Sequence, residues 1–248
     1  MATVDGRLPA RNVVFAPLAD AGRADAVVRR IAEAVTLGIV ADGEQLPSES
    51  DLAVQLGVAN GTVREALAIL REQDLVETRR GRGGGSFARS PKDGAAGLQL
   101  ARLKEIGTVE LRDLGDEHFA VFGAAARFAA ERAPTDAAVR IGRLVTALRV
   151  SATPVERQRA DARFHIEIAA ASQSVRLTQL EVRLQAELGP LLWLAEAQAP
   201  DPGAAADEHQ AILDAIAAGD ASHARSLAEE HTVSCVHHLI RTHLKLTD

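Results

Sequence analysis

Apolar residues recur every three or four positions from Ala24 onwards, at Val27, Val28, Ile31, Ala32 and Val35, and the run closes at Gly38. That spacing forms one face of an amphipathic helix, and glycine supplies the left-handed residue on which helices commonly stop. Ile39 to Gly43 turns the chain towards Leu46, and Pro47-Ser48-Glu49 is a helix-start signal. Leu52, Ala53 and Leu56 give the next helix its apolar face as far as Gly57. Val58 to Gly61 reads as a turn, and Thr62 opens a longer helix with Val63, Ala66, Leu67 and Leu70 on one side. Arg64, Glu65, Ala68 and Arg71 face elsewhere, so that helix shows polar groups opposite its buried stripe. Leu75 to Thr78 reads as a strand, Arg79 to Gly85 as a flexible basic tip and Ser86 to Ala88 as the returning chain. The polar start is punctuated by Pro9 and Pro17 and reads as an arm, with a short strand at Val13 to Phe15.

Past Ser90-Pro91-Lys92-Asp93-Gly94, a connector by composition, the pattern is helical almost to the end. Helices are expected near 96–104, 108–133, 135–150, 154–173, 175–198, 204–218 and 220–246. Gly107, Pro134, Thr153-Pro154, Ser174, Pro200 to Gly203 and Gly219-Asp220 divide them, with Thr135 and Asp220 as N-caps. The chain therefore divides into an arm (1–20), a domain of three helices and a hairpin (21–89), a linker region (90–107) and an all-helical bundle (108–248). With 248 residues there is room for two separate cores.

Aromatic content of 3% with abundant alanine favours this helical reading over a sheet sandwich. A net charge of −6 does not point to nucleic acid, but the balance is local. Arg79, Arg80, Arg82, Arg89 and Lys92 fall within fourteen residues that include no acid, a cluster suited to phosphate. The single cysteine, Cys235, excludes an internal disulfide and fits a reducing cytoplasm. No stretch is long and apolar enough to span a membrane, and the start lacks a signal-peptide core. A cytoplasmic protein without a membrane partner is the expectation.

Two helices joined by a short turn, the second offering polar side chains near its start, suit a helix-turn-helix that reads the major groove, and the basic hairpin is its wing. The run LPSESDLAVQLGV, then TVREALAILREQDLVETRRGRG, resembles the winged helix-turn-helix of the GntR superfamily of bacterial transcription regulators. The resemblance implies a homodimer on double-stranded operator DNA, with each recognition helix in a major groove and each wing tip in the adjacent minor groove. The implied contact set is Ser48, Glu49, Ser50, Asn60, Gly61, Thr62, Arg64, Arg79, Arg80 and Arg82. Ser50 and the Asn60-Gly61 pair stand where members of the family often carry arginine, which removes two base-reading groups but not the phosphate contacts.

Chemistry gathers in the bundle. Asp161 and His165 are four apart and share a helix face; His209 lies on a stripe with Ile212 and Ile216; His231 has Leu227 and Cys235 one turn to either side. Three imidazoles and a carboxylate on inward stripes of three helices suit a divalent metal ion, zinc first, with nickel or manganese as alternatives. His223, His237, His238 and His243 read as surface or core residues, His237 or His238 being possible neighbours of the site. The order Asp161 to Phe164-His165, Glu208-His209 and then His231 resembles the metal-binding pattern of FCD domains, and a bundle after a winged helix resembles the FadR-like branch that carries them. Many FCD domains place an Arg for a carboxylate effector, and a Glu one turn later, where this chain has His118 and Phe122. The expected effector is a carboxylate in a cavity lined by His118, Phe119 and Phe122, an apolar or fatty-acid-like acid being admitted; simple core packing of Phe122 stands beside that reading. The whole describes a mainly α, ligand-responsive regulator that acts as a repressor on a short palindromic operator and is not an enzyme. The alternative is a metal-dependent enzyme anchored to nucleic acid by the winged helix. Against it, there is no nucleophile–base pair around Asp161 and His165, and the glycines at 81–85 do not open a helix. A winged helix used for protein contact alone leaves five clustered basic residues unexplained.

Overall fold

The computed structural model describes Phe15 and residues 24–81, 83–90, 96–194 and 199–247. The arm over 1–20 (Phe15 apart), the connector residues 91–95, the wing-tip Arg82 and the last turn of the helix expected near 175–198 lie outside the described residues. The chain divides into two compact units, Met1–Asp93 and Gly94–Asp248.

In the first unit, α1 (Ala24–Thr36) and α2 (Glu49–Leu56) both pack on α3 (Asn60–Glu72). Val27, Ile31, Leu52, Leu56, Val63, Leu67 and Leu70 form the buried core between them. Ser48 caps α2 by accepting from the Asp51 amide, and Gly57 ends it at φ 69°, a conformation that suits glycine. The turn is shorter than the sequence pattern implied: Asn60 and Gly61 already form the first turn of α3, entered through extended backbone at Ala59 without a side-chain cap. Two strands, β1 (Val76–Arg79) and β2 (Gly85–Ala88), pair antiparallel with Val76 opposite Ala88 and Arg79 opposite Gly85. A bridge from Gln45 to Phe87, unmarked by any alternation, pins the hairpin to the chain before α2, and the Leu46 amide donates to the Ser86 carbonyl at 2.9 Å.

Every described element of the second unit is a helix: α4 (Ala96–Glu105), α5 (Thr108–Arg132), α6 (Ala137–Val150), α7 (Pro154–Ala171), α8 (Val175–Leu192), α9 (Pro202–Ala217) and α10 (Ala221–Thr247). Residues 96–105 belong to this bundle rather than to a linker. Leu103 is fully buried, α4 packs on α8 and α10, and His243 Nδ1 donates to the Leu103 carbonyl at 2.8 Å. The two longest helices, α5 and α10, lie along one another, and Gly115 lets them close: a Cβ there would run into Val236. α7 packs on α5, α6 and α8, while α9 packs on α6 and α10. Entry into α7 is fixed by Pro154 and a capping box in which Thr153 and Glu156 serve each other's backbone. Asp220 caps α10, accepting from the His223 amide at 3.0 Å. Thr135 does not cap α6, which starts at Ala137 behind Asp136, a residue paired with Arg140. Among the described residues no helix is long and apolar enough to cross a membrane.

Candidate metal centre and nucleic-acid interface

α7 presents Asp161 and His165 one turn apart, α9 presents His209 and α10 presents His231, and all four side chains are buried. One donor atom from each lies within 4.8 Å of all the others. His209 Nε2 is 3.3 Å from Asp161 Oδ1 and 3.4 Å from His231 Nε2. Two donors at about 2.05 Å from one tetrahedral ion stand about 3.3–3.4 Å apart, so these spacings, which are also those of hydrogen bonds, would fit a metal's ligand shell. Rings pack the set from outside: Phe164 stacks on His209 at 3.8 Å between centroids, and Phe122 lies 4.4 Å from His165.

The groups behind the donors orient them. His165 Nδ1–H donates to the Asp161 backbone carbonyl at 2.9 Å, which leaves its Nε2 as the lone-pair nitrogen, buried and with no hydrogen-bond partner among the described residues. His231 Nδ1–H donates to Glu208 Oε2 at 2.6 Å, which likewise commits its Nε2 to the cluster. Trp193 Nε1–H donates to Asp161 Oδ2 at 3.0 Å, leaving Oδ1 for His209 or an ion. Sequence reasoning missed Glu208 and Trp193 in these roles; Glu208 carries only the weak signal of adjoining His209. Burial, with His231 close by, pushes His165 and His209 well below the usual histidine range, so both stay neutral and ready to ligate. Burial also raises Asp161. For His231, burial acts downward, but Cys235, Glu208 and Asp161 outweigh it and hold the ring well above the usual value.

The expected effector residues do not together line either cavity beside the cluster. His118 and Phe122 are buried against His165, with Phe122 fully inside the core, whereas Phe119 is half-buried. His118 Nε2–H donates to Glu181 Oε1 at 3.0 Å, and Gln185 donates to the same oxygen at 2.9 Å. A small cavity of about 20 Å³ is lined by His118, Asp161, His165, Gln185 and Cys235 among others. A larger one, about 180 Å³, has Asp161, Trp193, Glu208, His231, His238 and Arg241 in its wall. Neither phenylalanine lines either cavity. They fall short because the i, i+3 and i, i+4 spacing of a packed helix turns Phe122 into the core and carries Phe119 off to the side.

In the first unit Asn60, Gly61 and Arg64 are exposed at the start of α3, with Thr62 half-buried beside them. Arg64 Nε donates to Glu49 Oε2 at 2.8 Å, a pair open to water that ties the recognition helix to the start of α2. Ser48 and Ser50 hydroxyls are 2.9 Å apart at that same start. On the wing, Arg79 lies over the Phe87 ring at 4.2 Å and donates to Glu77, while Arg80 is exposed; Arg82 lies outside the described residues.

Residues 23–84 match the family described as bacterial regulatory proteins, gntR family, and residues 119–234 match the FCD domain. RmpR of Mycobacterium gastri, named as an HTH-type transcriptional regulator, is 40% identical over 240 residues, covering 96% of this chain and 88% of that protein. A protein of Escherichia coli (strain K12) named for regulation of an L-lactate dehydrogenase operon is 33% identical over 204 residues, 79% of this chain and 77% of its own length. The solved structure of E. coli McbR/YncC covers 88% of this chain and 97% of its own with a TM-score of 0.54 at 19% identity, a likeness of fold alone. The relatives from M. gastri and E. coli (strain K12) are both named as regulators, which sets aside the metal-dependent enzyme as an account of the bundle. The chain belongs to the GntR family of bacterial transcription regulators, with a winged helix-turn-helix unit followed by an FCD domain.

Proposed function

We propose that this regulator binds a short palindromic operator as a homodimer, represses from it, and is released by a small carboxylate effector that meets a divalent ion held by Asp161, His165, His209 and His231. The observation that carries the reading is the buried convergence of those four donors at the spacing of one ion's ligands. Three imidazoles and a carboxylate suit zinc, with nickel or manganese as alternatives. When bound, the ion supplies a fixed positive charge for a carboxylate oxygen. The protein's part is orientation: the Asp161 carbonyl, Glu208 and Trp193 hold the donors, and Phe122 and Phe164 exclude water around them. The larger cavity, at about 180 Å³, is close to the ~150 Å³ that takes a benzene-sized molecule, which supports a small acid over a long-chain one. The E. coli relative named for an L-lactate dehydrogenase operon makes L-lactate and other 2-hydroxy acids the first to try.

On the DNA side, Asn60, Gly61, Thr62 and Arg64 take base edges and phosphates in the major groove. Ser48, Glu49 and Ser50 flank them at the start of α2, and Arg79, Arg80 and Arg82 reach the adjacent backbone and minor groove. Binding of the metal-loaded protein to fragments of its own promoter region, measured by fluorescence anisotropy, tests this. The expected result is a preference over random duplex of about 10³-fold or more at moderate salt, reduced by a 2-hydroxy acid and insensitive to that acid after chelation. No preference between operator and random duplex would sink the reading.

A further inference from the structure

Cys235 is the chain's single cysteine and lies one helical turn after His231 on α10. Its Sγ stands outside the four converging donors and meets them at His231 Nε2, 3.6 Å away, the same nitrogen that faces His209. A sulfur and a nitrogen bound to one zinc-like ion, at about 2.3 and 2.05 Å and a tetrahedral angle, stand about 3.6 Å apart. The thiol lines the small cavity together with Asp161 and His165, and it lines the larger cavity together with Asp161 and His231. His165, 1% exposed, also lines the first of these, and its Nε2 has no hydrogen-bond partner among the described residues. The sulfur thus sits beside a nitrogen already committed to the cluster, with access from two cavities.

We infer that Cys235 is a further ligand to the ion: its thiol releases a proton to solvent, and the thiolate joins Asp161 and the three imidazoles. The inference rests on the metal reading above and adds a donor to it. It also changes what the site selects. Three nitrogens and one oxygen accept hard and borderline ions alike, whereas a thiolate is soft and turns preference towards zinc or cobalt and away from manganese. Two donors at i and i+4 on α10 then face one ion from a single helix.

Cobalt(II) reads the donor set by colour. The full-length protein is stripped with chelator, reloaded with one equivalent of cobalt and compared with Cys235→Ser and Cys235→Ala. The wild type should show visible d–d bands and a near-ultraviolet thiolate-to-cobalt charge-transfer band; both variants should keep the first and lose the second. Their zinc affinity should fall at least as much as on loss of an outer-shell partner, about 10–100-fold, with manganese affinity little changed. d–d bands without a charge-transfer band in the wild type, or a band that survives in both variants, would overturn Cys235 as a ligand while leaving the metal centre standing. No cobalt spectrum at all would overturn the metal centre, and this inference with it.

Discussion

At the scale of single residues, the metal centre is a problem in committing lone pairs. Glu208 does not touch the expected ion; it holds the Nδ1 proton of His231 so that Nε2 faces inward. Glu208→Gln should therefore keep the fold and weaken metal binding about 10–100-fold, read by competition with a chromophoric chelator. His209→Ala should abolish stoichiometric metal; the lost ring lowers Tm in either sample, and because the ion ties α7, α9 and α10 the drop should be larger in the metal-loaded one. The pH dependence follows from the ring that is out of step. His165 and His209 are pushed below the usual histidine range and stay neutral as pH falls through about 6.5. His231 is raised, so in the ion-free protein it holds a proton that metal must displace. Affinity should therefore fall as pH is lowered through the raised pKa of His231, above about 6.5 rather than below it. Calorimetry in buffers of different ionisation enthalpy should show close to one proton released per ion at neutral pH, more if Cys235 also ligates. The four donors themselves were legible because i, i+4 spacing and apolar stripes constrain which side chains point inward. Glu208 and Trp193 were not, since their partners sit on other helices and no local pattern records a tertiary hydrogen bond.

At the scale of elements, α5 and α10 depend on a missing side chain. Gly115→Ala would drive a methyl group into Val236, so the substitution should destabilise the second unit by about 1–3 kcal/mol, an overpacking cost visible as a lowered Tm. In the first unit the helix faces were readable from Val63, Ala66, Leu67 and Leu70, all of which are buried. The start of α3 was not: Asn60 and Gly61 have the composition of a turn, yet packing of the helix overrides their weak propensities. The helix near 96–104 is readable from its pattern, yet a short amphipathic run after a connector is grouped with the linker until Leu103 is seen buried. Arg64 stands on α3 held by Glu49, so Arg64→Ala should cost about 1–3 kcal/mol on the preferred operator and relax base preference at one position. Arg80→Ala on the wing should instead weaken all duplexes alike and flatten the salt dependence.

For the whole molecule, an effector bound in the second unit can act on DNA only if the protein's DNA-binding and released states differ in affinity for it. A coupling of about 1–3 kcal/mol changes operator affinity some 5- to 150-fold, and linkage makes that factor reciprocal. Saturating operator DNA should therefore weaken effector binding by the same factor by which the effector weakens DNA binding. Unequal factors at equilibrium would mean that the acid competes at the DNA surface or acts on assembly. Division into a winged helix and a bundle was legible from the change in periodicity near Ser90. The shape of the effector cavity was not, because it depends on which of several rings the core consumes.

Trp193 carries one more consequence. It is the only tryptophan, the chain has no tyrosine, and its indole N–H is hydrogen-bonded to the Asp161 carboxylate. Ultraviolet light that excites indole therefore excites a single fluorophore, one hydrogen bond from a proposed ligand of the ion. Metal arrival, effector arrival and any rearrangement they cause should each register as a change in that one emission, without a label. Cobalt or nickel should quench it, zinc should shift it, and Trp193→Phe should make the protein dark. The regulator thus carries an optical gauge beside the Asp161 and histidine cluster.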